Sequence, residues 1–301
     1  MTRDRILDQT VNRLCDAPSF RLMVNRLAYD KPMPSVDALA SLVDLLRSVL
    51  FPGYFGDSHV SAESQRYAVG SALNRAAHLL TEQVERGYCF VCTHQDRGAC
   101  EECRTRAQEV TLAFLERLPE VRDLLALDVE AAFDGDPAAK NHGEVIFCYP
   151  SIRALTNHRI AHELYKLGVD VIPRIIGEMA HAVTGIDIHP GARIGRRFFI
   201  DHGTGTVIGE TTIIGDNVRI YQGVTLGAKS FPKDEKDRLV KGLPRHPIVE
   251  DDVIIYSNAT VLGRVTIGKG AVVGGNTWIT TDVPAGARIS QPPRENVQQV
   301  V

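Results

Sequence analysis

An aspartate and a histidine stand side by side in IDHGTGTVIGET, residues 200–211. An imidazole titrates near pH 6.5 and can take up and return a proton at neutral pH, and a neighbouring carboxylate can orient it. Asp201-His202 is therefore a candidate acid–base pair, although an isolated Asp-His pair is also a common structural feature. Thiols form a second concentration, in YCFVCTHQDRGACEEC, residues 88–103. Cys89, Cys92, Cys100 and Cys103 make two CxxC pairs, and four thiolates can close a tetrahedral structural zinc site. The seven-residue spacer is shorter than in common zinc ribbons, so the competing reading is a helix–loop–helix that holds no metal. Cys15 and Cys148 read as small core residues. His158 and His162 lie one helical turn apart, a spacing that can bind metal, but no metal is expected there. His189 reads as a corner residue.

The elements that must position these groups come in two kinds. From Ile186 on, apolar residues fall six apart: Ile188, Ile194 and Ile200, then, after a slip of two, Ile208, Ile214, Ile220 and Leu226. The series resumes as Val249, Ile255, Val261, Ile267, Val273 and Ile279, with small or branched companions four places on, such as Thr212, Val218, Val224, Val253, Ala259 and Ala271. A period of six fits neither a helix nor a flat strand. It fits a solenoid of short strands and bends, with the apolar residue pointing inward and coils covering one another's edges. The long polar interruption AKSFPKDEKDRLVKGLPRHP, ending in Arg245-His246-Pro247, reads as a functional loop.

Before residue 186 the pattern is helical. Residues 36–51, 61–87, 107–133, 151–168 and 171–181 carry apolar residues at helix spacing. Gly168 is placed to end one of these helices. The expected organisation is α+β: an α-helical domain over 1–185 with the cysteine cluster, a β-helix over 186–290 with a loop at 227–247, and a tail at 291–301.

Bulk properties narrow the classes of function. The chain has 301 residues, 44% hydrophobic and 24% charged, with a net charge of −3. That charge offers no electrostatic case for nucleic acid or an anionic membrane. No apolar run approaches the roughly 18 residues needed to span a bilayer, and the N-terminus is charged. A cytoplasmic protein is expected.

DIHPGARIG, IDHGTGTVIGET, VTLGAK and RHP, in this order, resemble the serine O-acetyltransferases of the hexapeptide-repeat family, as do DGDPAA and HRIAHELY upstream. The resemblance covers roughly residues 134–290. It implies a left-handed parallel β-helix and acetyl transfer from acetyl-CoA to the hydroxyl of L-serine, for cysteine synthesis. It implies that His202 is the general base and Asp187 its orienting partner. Asp201 and Asp136 would hold the serine ammonium and Arg245 its carboxylate, and His246 would be a second catalytic or orienting imidazole. Glu210 is either a structural acceptor or a support for the site. Acetyl-CoA would lie outside the β-helix between subunits, near Thr225, Gly227 and Ala228, with small residues at Ser257 and Gly275 one coil apart. A homotrimer is implied, with pairing of two trimers into a hexamer left open.

The loop before RHP is longer than in enteric members of the family and resembles a second subgroup. Classical members end in isoleucine and insert that tail into O-acetylserine sulfhydrylase; this chain ends in Val301, so the sulfhydrylase is a candidate partner. Feedback by L-cysteine is a family expectation. Three other readings compete. One is an acetyltransferase for another acceptor, homoserine or a sugar. One is a γ-carbonic-anhydrase-like hydratase holding zinc with His189, His202 and His246. One is a non-catalytic scaffold for the sulfhydrylase.

Overall fold

The hexads fold as very short strands on three faces of a left-handed parallel β-helix of about five coils. The computed structural model describes residues 2–16, 33–56, 61, 63–91 and 97–291. The first face stacks β1 (Asp187–Ile188), β4 (Val207–Ile208), β7 (Thr225–Gly227), β10 (Thr260–Leu262) and β13 (Trp278–Ile279). The second stacks β2 (Arg193–Ile194), β5 (Ile213–Ile214), β8 (Ile248–Val249) and β11 (Thr266–Ile267). The third stacks β3 (Phe199–Asp201), β6 (Arg219–Tyr221), β9 (Ile254–Ile255), β12 (Val272–Val273) and β14 (Arg288–Ile289).

Both hexad columns point inward. Ile208, Ile220, Leu226, Ile255, Val261, Ile267 and Val273 are buried, and so are their companions Thr212, Val224, Val253, Ala259 and Ala271. The interior is too narrow for two large side chains per bend, which is why the second column is small or branched. Asn217, Asp252, Asn258 and Asn276 turn corners at positive φ. Asparagine and aspartate tolerate that conformation better than most residues.

Register explains the breaks in the period. In the regular part, Ile254 pairs with Val272, eighteen residues on. In the first coil, Phe199 pairs with Arg219, twenty on. The two extra residues lie in the bend after Ile200, the bend that carries His202. Beyond β7 the loop lengthens one coil further, so that Thr225 pairs with Thr260.

The helices are α1 (Arg3–Asp16), α2 (Val36–Leu50), α3 (Gln65–Val91), α4 (Arg97–Gly135), α5 (His142–Cys148), α6 (Pro150–Lys166) and α7 (Ile172–Thr184). α1 and α5 were not singled out from the sequence: α1 has Ile6, Leu7, Val11 and Leu14 at helix spacing but buries none of them, and α5 is only seven residues long. α4 begins well before residue 107 and runs through Pro119. α6 opens on Pro150, whose missing N–H is harmless in a first turn, and Gly185 ends α7 in the left-handed conformation. Among the described residues, no helix is long and apolar enough to cross a membrane.

Two cysteine expectations need correction. Cys15 and Cys148 are exposed rather than in the core. Cys15 sits on α1, which buries none of its residues, and Cys148 is the last residue of α5.

α4 and α6 seat the first coil. Arg159 is bidentate to Asp128, with Nε–Oδ2 at 2.7 Å and Nη2–Oδ1 at 2.9 Å, and both side chains are almost fully buried. Arg159 also donates to the Gly195 carbonyl at 2.9 Å, and Asp128 accepts the Phe198 N–H at 3.0 Å.

Candidate active site

Polar groups gather at two different corners of the β-helix. At the corner between the third and first faces, the two-residue insertion projects His202 outward. Its φ is +56°, its side chain is 76% exposed, and its Nε2 lies 3.8 Å from Oδ1 of Asp201. The tight bend needs Gly203, where a Cβ would stand 2.5 Å from Ile186 Cδ1. Burial is the leading influence on Asp201 and raises its pKa; His202 and Arg219 oppose this, and Asp136 adds to it. Asp136 follows the end of α4. Its Oδ1 accepts the Ala138 N–H at 2.8 Å and its Oδ2 accepts the Tyr149 hydroxyl at 2.5 Å. The Tyr149 bond is the main cause holding the Asp136 carboxyl below its usual range. Arg219 reaches in from β6, its guanidinium 5.6 Å from the Phe199 ring.

The corner between the first and second faces holds Arg245 and His246, at the end of the long loop. Arg245 Nη2 pairs with Glu210 Oε2 at 2.6 Å, and Tyr165 reaches Glu210 at 3.5 Å. The buried His246 ring lies against Gly209, where a Cβ would fall 2.0 Å from His246 Cδ2, so no side chain fits there. Thr211 Oγ1 accepts the backbone N–H groups of Arg245 at 2.9 Å and His246 at 3.1 Å. With its lone pairs so occupied, the hydroxyl proton points to His246 Nδ1 at 2.9 Å, and the Thr211 N–H reaches the same nitrogen at 3.1 Å. Nδ1 is therefore an acceptor, and the neutral ring carries its proton on Nε2.

Burial, followed by the Arg245 charge, lowers the His246 pKa to about 4. Burial also holds His158 well below the ordinary value. Both imidazoles refuse a proton that the unfolded chain takes up near pH 6.5. Their stabilisation is fully present above pH 6.5 and is lost as pH falls below it, for His246 by about pH 4. The thermal midpoint should be level from pH 7 to 8 and should drop between pH 6.5 and 4, with a shallower slope in His158→Phe. A level midpoint through that range would show that these rings protonate freely when folded.

Other expected residues fall elsewhere. The carboxylate that reaches His202 is Asp201. Asp187 on β1 lies with Glu178 and His181 of α7, their ligand atoms within 4.8 Å of one another. His189 is a corner residue as expected, its Nδ1 accepting the Gly191 N–H at 3.0 Å. Glu210 is an acceptor for Arg245. Thr225 and Gly227 lie on β7, with the Thr225 N–H and the Gly227 carbonyl committed to the next coil at 3.0 Å each. Ala228 follows them into the loop. Ser257 and Gly275 stack one coil apart, and a Cβ on Gly275 would meet the Ser257 carbonyl at 3.1 Å.

Cys89 and Cys103 are half-buried on α3 and α4, while Cys92 and the side chain of Cys100 lie outside the described residues, as does Val301. Among the described residues, the set spaced to share an ion is Glu178, His181 and Asp187, and it contains no cysteine. His202 stands on a different corner from His189 and His246, so one subunit does not assemble a three-histidine site. Tyr149, Thr211 and Arg219 were not singled out from the sequence, because only coil stacking and the α5–α6 joint bring them to these corners.

The family model "Bacterial transferase hexapeptide (six repeats)" matches residues 246–281. A serine acetyltransferase (plasmid) of Synechococcus elongatus is 51% identical over 95% of this chain and 90% of its own length. A serine acetyltransferase of Bacillus licheniformis is 50% identical over 54% of this chain and 70% of its own. Among solved structures, serine acetyltransferase 1 of Entamoeba histolytica in complex with L-cysteine is similar, with a TM-score of 0.73 and 33% identity. That match covers 95% of this chain and all of the other.

Proposed function

Since the chain belongs to the serine acetyltransferases, which acetylate L-serine on the way to cysteine, we propose that its active site is built from two corners on neighbouring subunits. One subunit supplies His202, Asp201 and Asp136, and the next supplies Arg245 and His246. What supports this reading is the separation itself: the groups suited to one amino acid lie on different corners of one prism. In a threefold assembly of such prisms, a corner of one can face a different corner of the next. The donor is acetyl-CoA, lying in the groove beside Thr225, Gly227, Ala228, Ser257 and Gly275.

The chemistry follows from the groups. The serine hydroxyl is a weak nucleophile and needs a base at the moment of attack. Serine Oγ bonds to the thioester carbonyl carbon as its proton passes to His202. Collapse of the tetrahedral intermediate breaks the C–S bond, and the CoA thiolate takes the proton, leaving O-acetylserine. Asp187 would orient the imidazole once substrate and neighbour are in place. Asp136 and Asp201 receive the serine ammonium. Arg245 offers its planar fork to the carboxylate, exchanging Glu210 for substrate. Asp136, Asp201 and Arg245 together favour an amino acid over a sugar. No acyl-enzyme is needed.

Three further assignments belong to the same proposal. A structural zinc would join Cys89, Cys92, Cys100 and Cys103 across the α3–α4 hairpin, away from the reaction. The tail ending in Val301 would dock on O-acetylserine sulfhydrylase. The setting is cytoplasmic.

Subunit mixing tests the shared site. His202→Ala and Arg245→Ala chains, each nearly inactive alone, are unfolded together and refolded at equal amounts. Random trimers would carry both intact corners at about one interface in four, so about a quarter of wild-type serine-dependent CoA release should return. Recovery no greater than the parents' would put all of these residues in one subunit's site.

A further inference from the structure

We propose that Tyr149 is a positioning residue for the serine ammonium: its hydroxyl fixes the Asp136 carboxylate in the orientation that receives the substrate's amino group. This rests on the proposed role of Asp136 as an ammonium site. Both oxygens of Asp136 are tethered, Oδ1 by the Ala138 N–H and Oδ2 by Tyr149. An ionised carboxylate has about four acceptor positions, so each oxygen keeps one for an ammonium. The carboxylate is thus oriented without being used up.

The tether is itself rigid. Tyr149 sits at the joint between α5 and α6, with backbone φ −80° and ψ 121°, the extended conformation that a following proline imposes. Its N–H donates to the Val145 carbonyl at 3.2 Å and its carbonyl accepts the Ile152 N–H at 3.1 Å. Its ring packs against the core. The hydroxyl therefore cannot drift away from Asp136 without disturbing two helices.

Charge gives the contact a second consequence. Asp136 and Asp201 both border His202, and two neighbouring carboxylates resist being ionised together. Burial pushes Asp201 up, while the Tyr149 bond holds Asp136 down. Tyr149 thus keeps Asp136 as the reliably anionic member of the pair. A simple tie between the 134–139 turn and the α5–α6 joint would have no such selectivity for serine.

Steady-state kinetics of Tyr149→Phe, Asp136→Asn and the double variant separate these roles. Loss of a hydrogen bond to a charged group corresponds to about a tenfold change or somewhat more. Tyr149→Phe should raise KM for serine about tenfold, leave KM for acetyl-CoA within about twofold, and move the acid limb of kcat/KM for serine to higher pH. Added to Asp136→Asn, it should raise the serine KM no further. If Asp136→Asn raises the serine KM and Tyr149→Phe does not, Tyr149 is only a structural tie and the inference is wrong. The inference is equally wrong if Tyr149→Phe weakens both substrates equally and lowers the thermal midpoint. If Asp136→Asn leaves the serine KM unchanged, the ammonium assignment fails and takes the inference with it.

Discussion

Replacing His202 with alanine should lower serine-dependent CoA release by about a hundredfold to ten-thousandfold, the range general-base catalysis supplies. The fold should survive the change. The His202 side chain is 76% exposed, and it approaches the Asp201 carboxylate only to 3.8 Å. The backbone is the complication. At φ +56°, alanine is strained by about 1–2 kcal/mol, and a relaxed bend could itself abolish activity. His202→Asn removes the base while tolerating that conformation. Equal losses in the two variants, with KM for acetyl-CoA little changed, would assign the effect to the imidazole. A loss in alanine alone would assign it to the bend. Full activity in both would rule out His202 as the base; His246 is a poor substitute, because burial and Arg245 lower its pKa to about 4 and its Nδ1 already accepts from Thr211.

How much of this was legible in the sequence depends on the range of the contact. The hexad columns were, because each position repeats one physical demand: an apolar group inward, then a small one beside the bend. The slip between Ile200 and Ile208 was visible as a broken period, and it is the insertion that carries His202. Partners one coil away were harder to read. Glu210 meets Arg245 and Thr211 meets His246 at a separation of 35 residues, because the long loop is added to one coil. The resemblance named Arg245 and His246, but their seats in the chain depend on that register. Asp136 and Tyr149 meet only because the short α5 doubles the chain back. The grouping of Asp187 with Glu178 and His181 was not read from the sequence, because it needs α7 to pack beside β1. Cys15 and Cys148 were misjudged because composition alone treats cysteine as a core residue, whereas exposure is decided by which helix face packs.

Asp128→Ala should be the most destabilising of these substitutions, by about 3–5 kcal/mol, because it leaves a buried guanidinium without its counter-charge. Asp128 and Arg159 are 0% and 4% exposed, so water cannot readily replace the lost carboxylate. The Phe198 N–H would lose its acceptor as well. The consequence should reach the active site. Phe198 and Gly195 bracket the second corner of the first coil, β3 starts at the next residue, and His202 follows its end. Loosening that corner would misplace His202, the proposed base, so kcat should fall even below the melting temperature. Asp128→Leu combined with Arg159→Leu separates charge from packing. Replacing a buried pair by apolar groups is often near neutral, so the double variant should be more stable than Asp128→Ala. Its kcat should still be reduced, since Gly195 loses its donor. Urea unfolding of the three proteins would decide between charge and packing. A loss below about 1 kcal/mol for Asp128→Ala would place the pair among solvent-screened ones. The first coil would then be held mainly by Arg197 with Glu130 and Asp134 at the surface.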